Sequence, residues 1–229
     1  MDLAFIAVRK QGRALLFAKV KTYDLCLEAV TNDGTAMEFV PPEFKSPQMC
    51  MTAVRGNGDA IRFLSILDQT IDKCLIAVHN DGLALRHIIP EKRLFNICFT
   101  AVQKNGMALQ YVPYEHKTEG LCFEAVFSNG LALQFVPEDY KSEEFNLIAV
   151  KNNGLSLQWI YNQTRLICLA AVKQNGFALE FVDEKLRTEE IYETAVKQAG
   201  KALMFIKNPS QKVCTLAVEN DAYALQFVN

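Results

Sequence analysis

The sequence lacks a membrane-length apolar run, a secretion signal and a strong net charge. No stretch approaches the ~20 consecutive apolar residues that a membrane helix needs. Its start, Met1-Asp2-Leu3-Ala4, has neither the basic nor the apolar segment of a signal peptide. A net charge of -2 gives no overall attraction to nucleic acid or to an anionic membrane. Because the seven cysteines also occur without a signal, we expect a cytoplasmic protein that does not associate with membranes.

Sequence signatures of catalysis and of metal binding are also missing. There is no Cys-x-x-Cys pair, no His-Glu-x-x-His, no Gly-x-Ser-x-Gly elbow and no glycine-rich phosphate loop after a strand. The three histidines do not form a metal-ligand spacing with the cysteines. We therefore predict that the protein is not an enzyme and holds no cofactor or metal.

What the sequence does contain is one repeat, written ten times. Nine of the eleven glycines stand four residues after the valine of an Ala-Val pair, and each is followed by x-Ala/Ser-Leu/Met/Ile-x-aromatic. The interval between copies is 22 or 24 residues, and no linker interrupts them, so residues 1–229 are interpreted as a single repeat domain. The ten Ala-Val pairs begin at Ala7, Ala29, Ala53, Ala77, Ala101, Ala125, Ala149, Ala171, Ala195 and Ala217.

Each copy fits two short helices, and the sixth copy shows the pattern. Thr118 is a suitable N-cap, because its hydroxyl can accept from an unpaired backbone N–H of the first turn. Segment 121–126 places its apolar residues on one helical face. Gly130 is then expected to end the helix in the left-handed conformation, and segment 131–136 to form the second helix. Two such helices bury too little surface alone, so copies must stack.

Repeated β-hairpins are the alternative. Asn-Gly or Asp-Gly precedes the second segment in seven copies, and that pair is a strong hairpin signal. However, all ten copies have Ala before the Val, and Ala is depleted in strands. The Ser/Thr column, eight positions before the Val in eight of the nine later copies, has a helical role and none in a strand. We therefore predict an all-α solenoid of ten short helix-turn-helix repeats.

The repeat also resembles a known family. Residues 172–179, Val-Lys-Gln-Asn-Gly-Phe-Ala-Leu, are similar to the arrays of a bacterial and viral repeat family filed as a domain of unknown function, number 4116. The similarity extends over essentially the whole chain, although the 22-residue copies and an occasional Pro-Glu turn depart from it. It implies short helices in a solenoid. It implies no activity, because the family brings no established catalytic residues.

All the cysteines occupy one repeat position, four residues before the Val. A column of small apolar side chains suits the interior of stacked helices, and neighbouring copies at ~8–10 Å spacing are too far apart for a disulfide. We interpret the column as packing, with metal or redox use as the alternative. Its members are Cys26, Cys50, Cys74, Cys98, Cys122, Cys168 and Cys214.

Two sets of equivalent residues are candidates for a binding surface. The post-glycine ladder, the residue after the repeat glycine, is apolar in five central copies and polar near the ends; packing between helices is its plain alternative. It comprises Leu83, Met107, Leu131, Leu155 and Phe177. The polar ladder lies on the polar side of the second helix, where a solvated face is the alternative. It comprises Arg62, Arg86, Gln110, Gln134 and Gln158.

A basic column precedes the N-cap position in six copies and could contact phosphates at a regular pitch. It consists of Lys21, Lys45, Arg93, Lys117, Lys141 and Arg187. Acidic residues two positions upstream in four copies would neutralise it locally. We therefore predict a module that binds a protein partner along an extended surface. The alternative is a nucleic-acid or ribonucleoprotein binder, such as a phage or mobile-element inhibitor of a host defence complex.

Overall fold

A computed structural model describes residues 2–228, and these form an all-α repeat array. Each copy is one α-helix followed by a six-residue 3₁₀ helix, and no strand occurs between residues 2 and 228. The helical solenoid is therefore confirmed, although its second helix is the tighter 3₁₀ form. The α-helices are α1 Leu3–Lys10, α2 Tyr23–Asn32, α3 Pro47–Gly56, α4 Ile71–Asn80, α5 Phe95–Lys104, α6 Glu119–Ser128, α7 Glu143–Asn152, α8 Arg165–Gln174, α9 Glu189–Gln198 and α10 Gln211–Asn220.

The six-residue 3₁₀ helices all begin at the repeat glycine, or at Ala222 in the tenth copy, and end at the aromatic position. They are Gly12–Phe17, Gly34–Phe39, Gly58–Phe63, Gly82–His87, Gly106–Tyr111, Gly130–Phe135, Gly154–Trp159, Gly176–Phe181, Gly200–Phe205 and Ala222–Phe227. The array has two compact units, one ending at Thr118 and one beginning at Glu119. Copies one to five lie in the first and copies six to ten in the second. A single domain over 1–229 stays a prediction.

The Ser/Thr column caps the α-helices in most of the copies where a cap bond can be described. The hydroxyl of Ser46 accepts from the backbone N–H of Met49 at 3.2 Å, and that of Ser142 accepts from Phe145 at 3.2 Å. The same bond forms at Thr22, Thr164 and Ser210. Thr70 and Thr188 precede their helices without this bond. The predicted N-cap role is thus correct for the column but is not needed in every copy.

The role predicted for the glycine was wrong. No glycine in residues 2–228 has a positive φ, so none is a left-handed cap. The residue before it, Asn153 in the seventh copy, ends α7 in an extended conformation and caps the 3₁₀ helix by accepting from the Leu155 N–H at 3.1 Å. Gly154 is required for close approach instead. A Cβ on it would lie 2.4 Å from the carbonyl oxygen of Ala171 in the following copy.

The core runs between the α-helices and the 3₁₀ helices of stacked copies. Ile167, Cys168, Ala171 and Val172 form the inward face of α8, and all are fully buried together with Leu179 of the following 3₁₀ helix. The equivalent positions are buried in copies two to eight, whereas the terminal copies are partly open: Leu3 of α1 is 80% exposed and Leu225 of the last 3₁₀ helix is 64% exposed. All seven cysteines are buried, as the packing interpretation requires.

The difference between 22- and 24-residue copies lies in the linkers. Five of the 24-residue intervals contain an extra single-turn 3₁₀ helix: Pro42–Phe44, Pro90–Lys92, Tyr114–His116, Glu138–Tyr140 and Glu184–Leu186. The sixth contains a turn in which the Ser65 hydroxyl accepts from the Asp68 N–H. The short linkers have neither, so two residues are added without changing the helical frame.

A column of side-chain amides joins neighbouring copies, and sequence reasoning missed it. The carboxamide of Asn152, at the end of α7, accepts from the Gly130 N–H at 2.7 Å and donates to the Phe127 carbonyl at 2.9 Å. It therefore satisfies two backbone groups that the end of α6 leaves unpaired. The same pair of bonds to the preceding copy forms at Asn32, Gln174, Gln198 and Asn220, whereas Asn80 only donates to two of its carbonyls.

Candidate partner-binding surfaces

The post-glycine ladder lies at the start of the 3₁₀ helices, and its side chains are only partly accessible. Leu83 and Met107 in the first unit, and Leu131 and Leu155 in the second, are half-buried, whereas Phe177 is exposed at 39%. Their backbone N–H groups are held by the Asn or Asp two residues earlier. Local capping therefore fixes the direction in which each side chain leaves the backbone.

Side chains at the post-glycine position contact the aromatic position of the next copy. In the first unit the Arg13 guanidinium lies over the Phe39 ring at 5.0 Å. In the second, the rings of Phe177 and Phe205 meet edge to face with centroids 6.4 Å apart. At these two sites the position contributes to packing between copies, which is the plain alternative considered for it. Partner contact by the ladder stays a prediction.

The polar ladder is more open to solvent. Arg62, Arg86 and Gln110 in the first unit, and Gln158 in the second, are exposed, and Gln134 is half-buried. The three glutamines share one conformation, since each carboxamide donates to the carbonyl three residues earlier at 2.9–3.0 Å. That bond orders the side chain and leaves the amide oxygen available to a partner.

The two arginines of this ladder converge on one carboxylate. Asp59, at the post-glycine position of copy three, lies 3.0 Å from Arg62 Nη1 and 2.9 Å from Arg86 Nη2. Arg86 Nε is 2.8 Å from Nε2 of His87, the nitrogen that also lies 3.1 Å from Asp59 Oδ1. The Arg86 N–H can donate to His87 Nε2 only if Nε2 carries no proton. This geometry therefore corresponds to a neutral His87.

The pKa shifts agree with this assignment. Burial lowers the pKa of His87, and the Arg86 and Arg62 charges lower it further, against the opposing effect of Asp59. For Asp59, burial alone would raise the pKa, but the Arg86 hydrogen bond and the arginine charges hold it below its ordinary value. The cluster therefore carries two cations, one anion and a neutral imidazole. The sequence shows only that His87 stands at the aromatic position of its copy, and no local pattern indicates its contact with Asp59.

The basic column has a structural role. Lys21 donates to the Phe39 carbonyl at 2.9 Å, Lys45 to Phe63 at 3.2 Å and Lys141 to Trp159 at 3.5 Å, always eighteen residues ahead. Each bond joins the start of a copy to the end of its own 3₁₀ helix. The arginines do more, since Arg93 and Arg187 also donate to two carbonyls of the preceding copy.

Five of the buried thiols are held in their protonated form. Burial raises the pKa of Cys98 and of Cys168 to about 11 in each case, and it also raises the pKa values of Cys26, Cys50 and Cys74. A protonated thiol is a poor nucleophile and a poor metal ligand. No group of three or more His, Cys, Asp or Glu side chains in residues 2–228 is arranged to hold a metal ion.

The outer surface of the α-helices carries an apolar region that the sequence reasoning passed over. Phe123 and Phe127 of α6 are stacked at 6.3 Å and are 44% and 65% exposed. With Ile148, Lys151 and Asn152 of α7 they line an open groove of about 400 Å³. The available signal was the spacing: two aromatic residues four positions apart lie on one helical face, outside the repeat's core positions.

These features define an all-α repeat protein in which side-chain bonds to the backbone tie each short copy together and to its neighbour. The chain belongs to the repeat family described as a domain of unknown function (DUF4116), whose model matches residues 22–68, 118–165 and 164–209. No curated protein and no solved structure matches it. No helix within residues 2–228 is both long enough and apolar enough to cross a membrane.

Proposed function

We propose that this chain is a non-enzymatic module that binds a protein partner along the exposed surface of its repeats. The observation that carries the proposal is a separation of roles within each copy. The repeated positions, namely glycine, alanine, the basic column and the terminal amides, are used in contacts to backbone. The exposed positions differ from copy to copy, which is the arrangement that lets a solenoid recognise one particular partner.

Both predicted ladders remain candidates for the contact, with different roles. The exposed polar ladder offers ordered carboxamides and two arginines, and Arg is enriched at protein interfaces. The post-glycine ladder offers four half-buried apolar side chains and the exposed ring of Phe177. In the second unit this ladder consists of Leu131, Leu155 and Phe177. Phe177 packs on the Phe205 ring, whereas Leu131 and Leu155 use only their backbone N–H groups in the capping bonds.

A nucleic-acid or ribonucleoprotein partner is the alternative, and it is less well supported. Its main motive was the basic column, yet Lys21, Lys45, Arg93, Lys141 and Arg187 direct their head groups to backbone carbonyls. Neutralising phosphates would require those bonds to break. We also propose a reducing, cytoplasmic setting, because thiols with raised pKa values fill the core.

The test compares partner capture by the wild-type chain and by the Leu131→Ser/Leu155→Ser variant, using extract from the source organism. Loss of a captured protein by the variant is expected, with each anchor contributing about 1–3 kcal/mol if it is an interface hot spot. Leu133→Ala serves as the core control, expected to reduce the free energy of unfolding by about 2–5 kcal/mol. Circular dichroism separates loss of binding from loss of fold.

Three results would count against the proposal. Undiminished capture by the double variant would exclude the post-glycine ladder as the contact surface. The Arg62→Ala/Gln158→Ala variant would then test the polar ladder. Undiminished capture by both sets would exclude both ladders. Salt-sensitive binding of labelled RNA or DNA at moderate ionic strength, in place of protein capture, would establish the alternative.

A further inference from the structure

The groove between α6 and α7 has features of a peptide-binding site that the repeat frame does not require. Its floor is formed by Phe123, Phe127 and Ile148, and its edge by Lys151. Phe123 packs edge to face on buried Phe145 with centroids 6.2 Å apart, and its other neighbour is the stacked ring of Phe127. The floor is therefore rigidly supported from below and open above.

Phe127 is the unexpected residue in this arrangement. It directly follows the repeat Val, a position where every other copy has a polar or charged side chain. The other nine residues are Arg9, Thr31, Arg55, His79, Gln103, Lys151, Lys173, Lys197 and Glu219. Folding of a copy therefore does not need an apolar group there. A Phe that is 65% exposed at such a position exposes apolar area to water without contributing to the core.

Charge distinguishes among the possible occupants of the groove. None of its lining residues is acidic, and Lys151 has no ion-pair partner among residues 119–228. Lys173, the equivalent residue of the next copy, is also exposed and unpaired within the same unit. Lys197, one copy further on, is already paired with Glu193 at 3.6 Å. An apolar groove with one unneutralised cation at its edge, and a second at the equivalent position of the next copy, is complementary to an apolar group beside a carboxylate.

Resting on the proposed function, we infer that this groove binds a peptide segment of the protein partner in which a large apolar side chain stands beside Asp or Glu. The apolar side chain lies on Phe123, Phe127 and Ile148, where it removes their exposed surface from water. The neighbouring carboxylate pairs with Lys151. Asn152 also lines the groove, but its carboxamide is not free to bind the peptide, because its oxygen and its nitrogen are already bonded to the backbone of copy six.

The experiment selects peptides from a random short-peptide phage library on the full-length protein. Enriched peptides are synthesised with a fluorophore, and their Kd values are measured by polarisation. We expect the enriched sequences to share a Phe, Trp or Leu next to Asp or Glu. Phe127→Gln should weaken their binding by about tenfold or more, as for removal of an aromatic anchor. Gln is the residue that copy five has at this position, so the variant should fold.

Charge reversal tests the second half of the proposal. Lys151→Glu should weaken the acidic peptides severalfold and should recover affinity for versions in which Lys replaces the acidic residue. Arg55→Glu is the matched charge-reversal control at the same repeat position in copy three, where copy ten has Glu219. It should leave these peptides bound normally.

The possible failures are distinguishable. Peptides that bind Phe127→Gln normally but lose affinity for the Leu131→Ser/Leu155→Ser variant would overturn the groove assignment and leave the proposed function in place. Enriched sequences without acidic residues, or binding that Lys151→Glu does not change, would overturn the assigned peptide chemistry. Absence of any enrichment over an unrelated control protein would count against protein binding itself.

Discussion

At the scale of single residues, the repeat glycine shows most clearly how one position is fixed by its neighbours. It does not adopt a conformation reserved for glycine, since no glycine in the described part of the chain has a positive φ. It is needed because the next copy places a carbonyl oxygen where a Cβ would be. The distance from that Cβ to the oxygen would be 2.2–2.4 Å in the copies where it is defined.

This close approach predicts a large effect of adding one methyl group. Gly154→Ala would bring Cβ to 2.4 Å from the Ala171 carbonyl oxygen, so the two copies must separate. We expect a loss of at least ~2 kcal/mol in the free energy of unfolding, measured by urea denaturation. Gly120→Ala is the matched control. Gly120 lies in α6 with nothing within 4 Å of its Cβ position, so Ala should stabilise the helix by ~0.5–1 kcal/mol.

Equal stabilities of the two glycine variants would contradict this assignment. The expected loss of stability comes from the close approach of two copies. A glycine that served as a left-handed cap would respond differently to substitution. A left-handed cap would be rescued in part by Asn, which tolerates that conformation. Gly154→Asn should instead be at least as damaging as Gly154→Ala, since it adds the same Cβ and more atoms.

The cysteine column predicts a dependence of stability on pH. An acid whose pKa is raised by folding stabilises the folded state while it is protonated. The contribution of Cys98 and Cys168 is therefore complete below the unfolded-state value of 9.0 and declines as the pH rises towards about 11. We expect the free energy of unfolding to fall between pH 8 and pH 10.5, and the Cys98→Ala/Cys168→Ala variant to show a shallower fall.

Identical pH profiles for the variant and the wild type would show that these thiols do not titrate with folding. A second readout is independent of pH. All seven cysteines should be recovered as free thiols under native conditions, and each should react slowly with a bulky alkylating reagent, because the described side chains are buried.

At the scale of elements, each α-helix is only eight to ten residues long and cannot be stable alone. Its ends are satisfied by groups from outside the helix: the N-terminus by Ser/Thr hydroxyls, the C-terminus by amides from the next copy. The basic column then joins the start of each copy to the end of its 3₁₀ helix. A copy is thus held by bonds that cross between elements, in addition to the buried face that sequence periodicity identifies.

The N-cap bonds predict unequal effects of the same substitution. Ser142→Ala removes the hydroxyl that accepts from the Phe145 N–H, so it should cost ~1 kcal/mol of unfolding free energy. Thr188→Ala is the matched control, because Thr188 precedes α9 without a side-chain cap bond. Its cost should be close to zero. Thermal or chemical denaturation of both variants under the same conditions measures the difference, and equal costs would contradict the assigned cap geometry.

At the scale of the whole molecule, the repeated interface explains why copy ten differs. Ala222 stands where the other nine copies have Gly. Its Cβ occupies the space into which a following copy would insert an Ala carbonyl oxygen, by analogy with the 2.4 Å approach at Gly200. A further copy with the same geometry is therefore sterically blocked at this face, whether it belongs to the same chain or to another molecule.

A fusion experiment tests this block. An additional repeat, copied from residues 184–206 so that it keeps its linker and its N-cap Thr188, is appended after Asn229 in the wild-type background and in Ala222→Gly. We expect the added copy to dock only on the Gly background, where it should raise the melting temperature and the helical circular dichroism signal by more than in the Ala background. Equal gains in both backgrounds would show that Ala222 does not block stacking.

Much of this structure was predictable from the sequence, because the repeat displays its own constraints. The 3.6-residue pattern of 121–126, the Ser/Thr column and the invariant alanine indicated short stacked helices rather than hairpins, and the cysteine position indicated a buried column. These predictions rest on local propensity and on periodic burial, and both are properties of a short segment. Because the chain contains ten copies, comparing them shows which type of residue each repeat position requires.

The tertiary structure decided what each fixed polar or small residue does. Gly154, Asn152 and Lys141 owe their roles to backbone groups seventeen or more residues away, and a local pattern does not reveal such partners. The second helix is 3₁₀ even in the copies whose preceding residue, Gln11 or Ala199, forms no side-chain cap bond, so the local cap does not decide its form. The groove at Phe127 likewise depends on how α6 and α7 pack. Sequence periodicity fixes which side chains face inward, whereas the stacking distance between copies decides which backbone groups they meet.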